Sequence, residues 1–104
     1  MSYIVVLITA PSKNEAKKIA NAIVESKVAA CVNIVPMVES VFMWKGKKEN
    51  AKESLLIVKT KKSCFEKLKQ KVKKLHSYTT PEIISIPILQ GEKSYLDWIS
   101  KTVS

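Results

Sequence analysis

The feature of this sequence that most restricts its fold is a short pattern that occurs once in each half of the chain. The pattern is Thr-x-x-Ser-x-x-Glu, and its copies are Thr9-x-x-Ser12-x-x-Glu15 and Thr60-x-x-Ser63-x-x-Glu66. Each copy follows an apolar run and opens a stretch in which apolar residues recur at helical spacing. A serine followed three residues later by glutamate predicts a capping box, in which the hydroxyl and the carboxylate each satisfy a free backbone N–H. Each half is therefore predicted to contain a strand followed by a helix.

A further strand follows each predicted helix, so that each half reads strand, helix, strand. Two such halves joined by a hairpin give the order β-α-β-β-α-β, which is the ferredoxin-like sandwich of the α+β class. Right-handed crossovers place the first and third strands, residues 3–10 and 54–60, in the middle of the sheet. A short C-terminal helix is predicted over residues 92–99. The 104 residues, of which 46% are hydrophobic, predict a single domain that spans residues 1–104.

The second and fourth strands, residues 28–44 and 82–89, are predicted to be the edges of the sheet. Each contains a proline, Pro36 or Pro87, and proline lacks the N–H that an interior strand needs. Residues 46–50 are predicted to form the hairpin loop. The second strand ends in a run of large apolar residues, which would promote aggregation on an uncovered edge. Either another subunit covers this run, or Phe42 and Trp44 pack into the core of their own chain.

The charged residues are unbalanced, with eighteen basic residues against nine acidic ones, a net charge of +9, and no arginine among them. Nucleic-acid readers and phosphate clamps depend on the planar guanidinium of arginine. The central strands also lack the aromatic residues with which RNA-recognition domains stack on bases. We therefore predict no specific nucleic-acid partner and no acylphosphatase-like activity. The simplest role of the lysines is to keep the protein soluble.

No arrangement typical of catalysis occurs in the sequence. There is one histidine, and there is no Gly-rich phosphate loop, nucleophile elbow or paired-carboxylate motif. The two cysteines, Cys31 and Cys64, are too far apart for the Cys-x-x-Cys motif of a soft-metal chaperone. We predict that the protein is not an enzyme.

The first apolar run, residues 4–8, is too short for a signal sequence or a membrane span. We therefore predict a cytoplasmic protein without a membrane partner. The two cysteines do not suggest a disulfide framework, and reduced thiols agree best with an intracellular location.

Four stretches of the sequence carry a family resemblance. They are VAACVNIVP at 28–36, SVFMWKG at 40–46, ESLLIVKT at 53–60 and HSYTTPEI at 76–83, the last followed by YLDW at 95–98. Together they resemble the CutA family of divalent-cation tolerance proteins nearly from end to end. The resemblance implies trimers of ferredoxin-like subunits in which long edge strands pair between neighbours. It also implies a link to copper and other divalent ions.

Cys31, His76 and Glu82 are the candidate metal ligands. Thiolate and imidazole are competent ligands for copper or zinc, and a glutamate oxygen could complete the site. The resemblance also places the family's cysteine at Cys31. We predict that a homotrimer binds Cu²⁺ or another divalent cation weakly. Two simpler roles remain open, because Cys31 could be a small buried hydrophobe and His76 could complement a helix dipole.

Two residues depart from the family pattern, and a second function remains open. Ser77 replaces a proline that the family usually has after the histidine, which is expected to loosen that loop. Phe42 stands where the family often has tyrosine. The alternative function is a trimeric signalling or scaffold module resembling the nitrogen-regulatory PII proteins, which bind a small ligand or a partner protein between subunits.

Overall fold

The protein is an antiparallel four-stranded sheet with helices on one side. The computed structural model describes residues 2–104, so that Met1, the first residue of the predicted domain, lies outside the described residues. The elements in chain order are β1 (Tyr3–Ala10), α1 (Lys13–Glu25), β2 (Cys31–Trp44), β3 (Lys47–Lys61), a 3-10 turn (Lys62–Cys64), α2 (Phe65–Leu75), β4 (Ile83–Pro87) and α3 (Lys93–Thr102). The strand order is β2-β3-β1-β4. This confirms the predicted α+β fold, with β1 and β3 in the centre and the proline-containing strands at the edges.

The core lies between one face of the sheet and the two long helices. Alternate residues of β1 point into it, and the apolar stripes of α1 and α2 cover them. The largest side chains that are fully buried there are Ile8, Ile19, Ile23, Leu56 and Leu68. Neither α1 nor α2 covers the opposite face of the sheet, and α3 reaches only the end of that face with Tyr3 and Cys31. Its apolar residues remain half-buried or exposed, and Ile84 and Ile86 of β4 are among the exposed ones.

Only half of one predicted capping box forms. Ser12 caps α1 by accepting a hydrogen bond from the Glu15 backbone N–H at 3.1 Å. The Glu15 carboxylate does not return to the cap, because it accepts two hydrogen bonds from Ser77 instead. The prediction of a second capping box is wrong. Ser63 lies in the 3-10 turn, and α2 begins only at Phe65 without a side-chain cap.

The reason for the second error is a tertiary contact at Cys64. This residue is buried, and its Sγ lies 3.6 Å from the backbone oxygen of Ser104 at the far end of the chain. Cys64 packs with Ala30, Ile99 and Val103 in a small secondary core. The tight turn brings Cys64 into that core, and this packing outweighs the local preference for a serine cap.

The hairpin between β2 and β3 is tighter than predicted. Its turn consists of Lys45 and Gly46, whose φ angles are 52° and 78°. Two successive positive φ values are typical of a type I′ turn, which matches the twist of antiparallel strands. Residues 47–50 are therefore not a loop. They pair with the residues of β2 before the turn, so that Phe42 lies opposite Glu49 and Trp44 opposite Lys47.

The boundaries of β2, β4 and α3 also differ from the predictions. The strand β2 begins at Cys31 rather than at residue 28. At Pro36 the pairing of β2 with β3 is interrupted by a register shift between Val35 and Val38. The last strand is shorter than predicted, and α3 runs on to Thr102.

The chain is more extended than a protein of its size usually is. It exposes 6748 Å², whereas a compact protein of the same mass exposes about 5,900 Å². Its radius of gyration is 14.1 Å, against about 13 Å for a compact chain of this length. The excess comes from the far half of the β2–β3 hairpin, residues 38–52, which we call the hairpin arm. None of the helices within residues 2–104 is long and apolar enough to cross a membrane.

Candidate functional site

A pocket of about 1030 Å³ lies between the hairpin arm and the loop that follows α2. Its walls include two aromatic residues of the arm, Phe42 and Trp44, and the ring of Tyr78 from the loop. Three glutamates also line it, Glu49, Glu53 and Glu82. None of its lining residues is a lysine, although the chain carries a net charge of +9. We call this cavity the acidic pocket.

Strand register places most arm residues of the pocket on one face. Side chains of directly opposed residues in an antiparallel pair point to the same side of the sheet. Val38 lies opposite Glu53 and Phe42 opposite Glu49, and the two positions are four residues apart on each strand. The two carboxylates and the aromatic rings therefore share one face of the arm, whereas Val41 and Asn50, which also line the pocket, belong to the other face. Sequence reasoning missed Glu49 and Glu53 because it began the third strand at residue 54.

Tyr78 joins the loop to the arm. Its hydroxyl donates a hydrogen bond to Glu53 Oε2 at 2.9 Å, and Glu53 is only 7% exposed. Burial is the main cause that raises the pKa of Tyr78 to about 12, followed by the hydrogen bond and the charge of Glu53 and then by the charge of Glu15. Each cause favours the neutral phenol, which keeps its proton available for the Glu53 carboxylate.

The Tyr78–Glu53 contact predicts the behaviour of the protein in alkali. Because the pKa of Tyr78 is raised above its ordinary value of 10.0 to about 12, this contact stabilises the fold fully below pH 10. That contribution is lost as the pH rises through 12. An alkaline titration followed by phenolate absorbance is expected to show a late step that Tyr78→Phe removes and that Glu53→Gln moves to lower pH. Because the pKa of Tyr95 is also raised, the comparison is made in a Tyr95→Phe background, where a late step that survives Tyr78→Phe would contradict the assignment.

His76 holds the loop from inside the fold. Its Nε2 lies 2.7 Å from the backbone oxygen of Thr9, and its Nδ1 accepts the backbone N–H of Tyr78 at 3.0 Å. A carbonyl oxygen can only accept, so Nε2 carries the proton and donates it to Thr9. The His76 side chain is fully buried, and Nδ1 also lies 3.5 Å from Glu15 Oε2. Both ring nitrogens are therefore engaged within the chain, and His76 connects the end of α2 to β1 and to the pocket loop.

Ser77 adds a second connection beside the histidine. The Glu15 carboxylate accepts hydrogen bonds from both the backbone N–H and the hydroxyl of Ser77, each at 3.0 Å. A proline at this position could donate neither bond. The prediction that Ser77 loosens the loop is therefore wrong for this chain, in which Ser77 ties the loop to α1.

Cys31 lies away from the pocket. It pairs in register with Lys59, which in turn pairs with Val5 on β1. The His76 ring binds Thr9, four residues further along β1, which corresponds to about 13 Å along the strand. The side chain of Cys31 instead neighbours α3. Burial is the main cause that raises the pKa of Tyr95 on this helix, and the nearby Cys31 is the next cause.

The structure places the three predicted metal ligands at separate positions of one chain. Glu82 lines the acidic pocket, His76 lies behind it in the loop, and Cys31 is distant. Within residues 2–104 of one chain, no three His, Cys, Asp or Glu side chains gather closely enough to hold a metal ion. The set Cys31, His76 and Glu82 stays a prediction, and an ion shared by all three would require a second subunit or a rearranged loop. Both cysteines are free thiols, and Cys64 is buried in the small secondary core.

Comparison with known proteins identifies the family. The family model described as CutA1 divalent ion tolerance protein matches residues 4–102. The divalent-cation tolerance protein CutA of Thermus thermophilus is 53% identical over 95 residues, which cover 91% of this chain and 92% of that protein. Its counterpart from Archaeoglobus fulgidus is 52% identical over 98 residues, with 94% and 95% covered. The crystal structure of CutA1 from Oryza sativa superposes with a TM-score of 0.97 at 43% identity, covering all of this chain and 95% of that one. The chain belongs to the CutA1 divalent ion tolerance protein family.

Proposed function

We propose that this protein is a non-enzymatic, cytoplasmic homotrimer that binds divalent cations weakly in the acidic pocket, Cu²⁺ among them. The observation that carries the proposal is the separation of charge. Three of the nine acidic residues line one cavity, and none of the eighteen lysines does. A cleft lined by one sign of charge concentrates ions of the opposite sign, and a doubly charged ion gains more from such a field than a singly charged one.

Weak binding follows from the spacing of the carboxylates. Glu49, Glu53 and Glu82 lie on different walls and do not form a compact set of ligands within one chain. A divalent ion held here would keep much of its own water and gain mostly from the charge of the pocket. Glu82 is the candidate ligand that sequence analysis and the pocket have in common, and we propose it as the principal contact for the ion.

Copper binding through Cys31 and His76 would need a change at the histidine. Copper favours imidazole and thiolate over carboxylate, but both nitrogens of His76 already have partners in Thr9 and Tyr78. Using either nitrogen as a ligand would leave a buried polar group without a partner, which costs about 1–3 kcal/mol. We therefore favour the pocket over the Cys31–His76 pair as the copper site.

Subunit association is supported by the apolar surface that one chain leaves uncovered. The helices cover one face of the sheet, and the hairpin arm extends beyond the body with Val41, Met43 and Trp44 more than half exposed. Phe42 and Trp44 are exposed as well, so the alternative that they pack into the core of their own chain is wrong. Covering this surface with further subunits protects the edge strands from aggregation. The number three comes from the family resemblance.

A second candidate function is supported by the size of the pocket. A volume of about 1030 Å³ is far more than a metal ion needs and is comparable to pockets that hold small molecules, about 300–1,000 Å³. This agrees with a PII-like module that binds a small ligand between subunits. The glutamates would favour a cationic or neutral ligand over a nucleotide, whose phosphates they repel.

Calorimetric titration of the untagged protein with Cu²⁺ tests the first proposal. We expect weak, saturable binding, and we expect Glu82→Gln to reduce the affinity about tenfold or more, as the loss of a metal-binding group typically does. The matched control is Glu39→Gln, which removes the same charge from an exposed position of β2 outside the pocket. Cys31→Ser is expected to leave the affinity unchanged.

Two other results would contradict the pocket proposal. If Cys31→Ser and His76→Gln each abolish the copper signal while Glu82→Gln keeps it, the ion is bound by the cysteine and the histidine. If Cu²⁺ gives no saturable signal but a small organic diamine does, the protein is better described as a ligand-binding module. Light scattering of each variant shows whether the subunits remain associated.

A further inference from the structure

The lysines of this protein are concentrated on α2 and the turn before it. Residues 61–74 contain seven lysines and one acidic residue, Glu66, and therefore carry +6 of the net +9. The acidic pocket differs from this segment, because its lining includes three glutamates and no lysine. The positive charge of the protein is thus most concentrated along residues 61–74.

The basic residues of α2 form a continuous exposed stripe. Lys67, Lys71 and Lys74 follow the i, i+4, i+7 spacing that places side chains on one helix face, and all three are exposed. Lys73 is exposed beside them. Within residues 2–104, the one ion pair found on this helix joins Lys69 and Glu66 at 2.9 Å. The charges of the stripe are therefore not neutralised by the chain itself.

This stripe is costly for the helix that carries it. Lys67 and Lys71 are spaced i, i+4, as are Lys69 and Lys73, and like charges at this spacing destabilise a helix. The other long helix carries less net positive charge, because Glu15 and Glu25 accompany the three lysines of α1. A surface that served solubility alone could mix both signs, as α1 does. The uncompensated stripe indicates a partner that supplies the missing negative charge.

We propose that the exposed face of α2 binds the phosphate backbone of nucleic acid without sequence preference. The phosphates of a nucleic acid supply closely spaced negative charge, and lysines that neutralise them release condensed counterions. Lysine acts as a point charge and lacks the planar fork with which arginine reads guanine, so the contact carries no sequence information. This agrees with the prediction of no specific nucleic-acid partner.

The buried side of α2 argues for nucleic acid over an anionic membrane. Helices that bind a membrane surface insert an apolar face among the lipids. Leu68 and Val72 of α2 are fully buried in the core of the protein, and the partly buried Phe65 and Leu75 pack against that core. The exposed face of α2 consists of lysine, glutamine and glutamate residues. The helix is about 16 Å long, which is enough to reach across a duplex major groove about 12 Å wide.

The experiment compares two variants of equal net charge. Fluorescence anisotropy measures binding of the untagged protein to a labelled duplex of about 20 base pairs over about 50–200 mM salt. The test variant is Lys67→Gln/Lys71→Gln/Lys74→Gln. The control is Lys48→Gln/Lys52→Gln/Lys101→Gln, whose three lysines are exposed and lie outside the α1–α2 layer. Glutamine keeps the helix propensity of α2, and circular dichroism is expected to show both variants folded.

We expect the α2 variant to bind at least about tenfold more weakly, and the slope of log affinity against log salt to fall by about 2.7, or 0.9 for each lost phosphate contact. The control variant and a duplex of different sequence are expected to stay within about threefold of the wild type. If both variants lose the same affinity for the duplex, the effect is explained by net charge alone, and the proposal is overturned. Binding to vesicles containing phosphatidylserine under conditions where the duplex does not bind would also overturn it.

Discussion

Replacing Trp44 with glutamate is expected to convert the proposed trimer into monomers. Trp44 ends β2 on the hairpin arm and is exposed in the single chain, so its ring is available to a neighbouring subunit. A carboxylate at this position would bring a charge into the interface, and it would have to lose its water there even if it pairs with Lys47 on the opposite strand.

Light scattering at micromolar concentration measures this change directly. The wild type is expected at about 35 kDa, three times the 11.7 kDa of one chain, and Trp44→Glu near the mass of one chain. Two controls separate position from chemistry. Trp44→Phe keeps an apolar ring, and Lys48→Glu places the same new side chain on the same arm, opposite Met43. Both are expected to remain trimeric. A monomeric wild type would disprove the assembly, and a trimeric Trp44→Glu would exclude this part of the arm from the interface.

Replacing His76 with alanine is expected to cause the second large effect, a loss of about 2–4 kcal/mol per subunit in the free energy of unfolding. The substitution leaves the Thr9 oxygen and the Tyr78 N–H without their partners and opens a cavity behind the pocket loop. Because Tyr78 also holds Glu53, the same change is expected to release the loop from the arm. Chemical denaturation at a fixed subunit concentration measures the cost, since association contributes to the stability of an oligomer.

Two partial replacements distinguish the structural role of His76 from a role as a metal ligand. His76→Asn places an oxygen near the position of Nδ1 and keeps an acceptor for Tyr78. His76→Gln places an amide nitrogen near the position of Nε2 and keeps a donor for Thr9. Each is expected to recover about half of the stability lost in the alanine variant, since each restores one of two hydrogen bonds. If His76→Ala remains within about 0.5 kcal/mol of the wild type, the buried histidine does not stabilise the loop.

The candidate site could be read from the sequence only in part. Glu82 was recognised and does line the pocket, because it belongs to a family motif next to a predicted strand. Glu53 was missed even though it opens a recognised motif, because the strand was expected to start one residue later. An extension of β3 back to Lys47 would have placed Glu49 and Glu53 on one face by their even spacing. Hairpin length depends on the conformation of Lys45 and Gly46, which residue identity alone does not settle.

Elements with a local and periodic signal could be predicted from residue identities alone. Apolar repeats predicted β1, α1 and α2, the doubled strand–helix–strand order predicted the sheet topology, and Pro36 predicted an edge strand. These features rest on side-chain spacing and backbone chemistry within a few residues. Each of these features could therefore be predicted before the fold was known.

Only the tertiary structure decided which partners the polar and apolar side chains of the site would have. His76 meets Thr9, Tyr78 and Glu15, which come from a strand, a loop and another helix. Ser63 lost its cap because packing of Cys64 against the chain end outweighed a local hydrogen bond. The exposure of Trp44 is likewise a result of how far the hairpin extends beyond the helices. Such contacts join residues distant in sequence, and their energies depend on burial and geometry that exist only once the chain has folded.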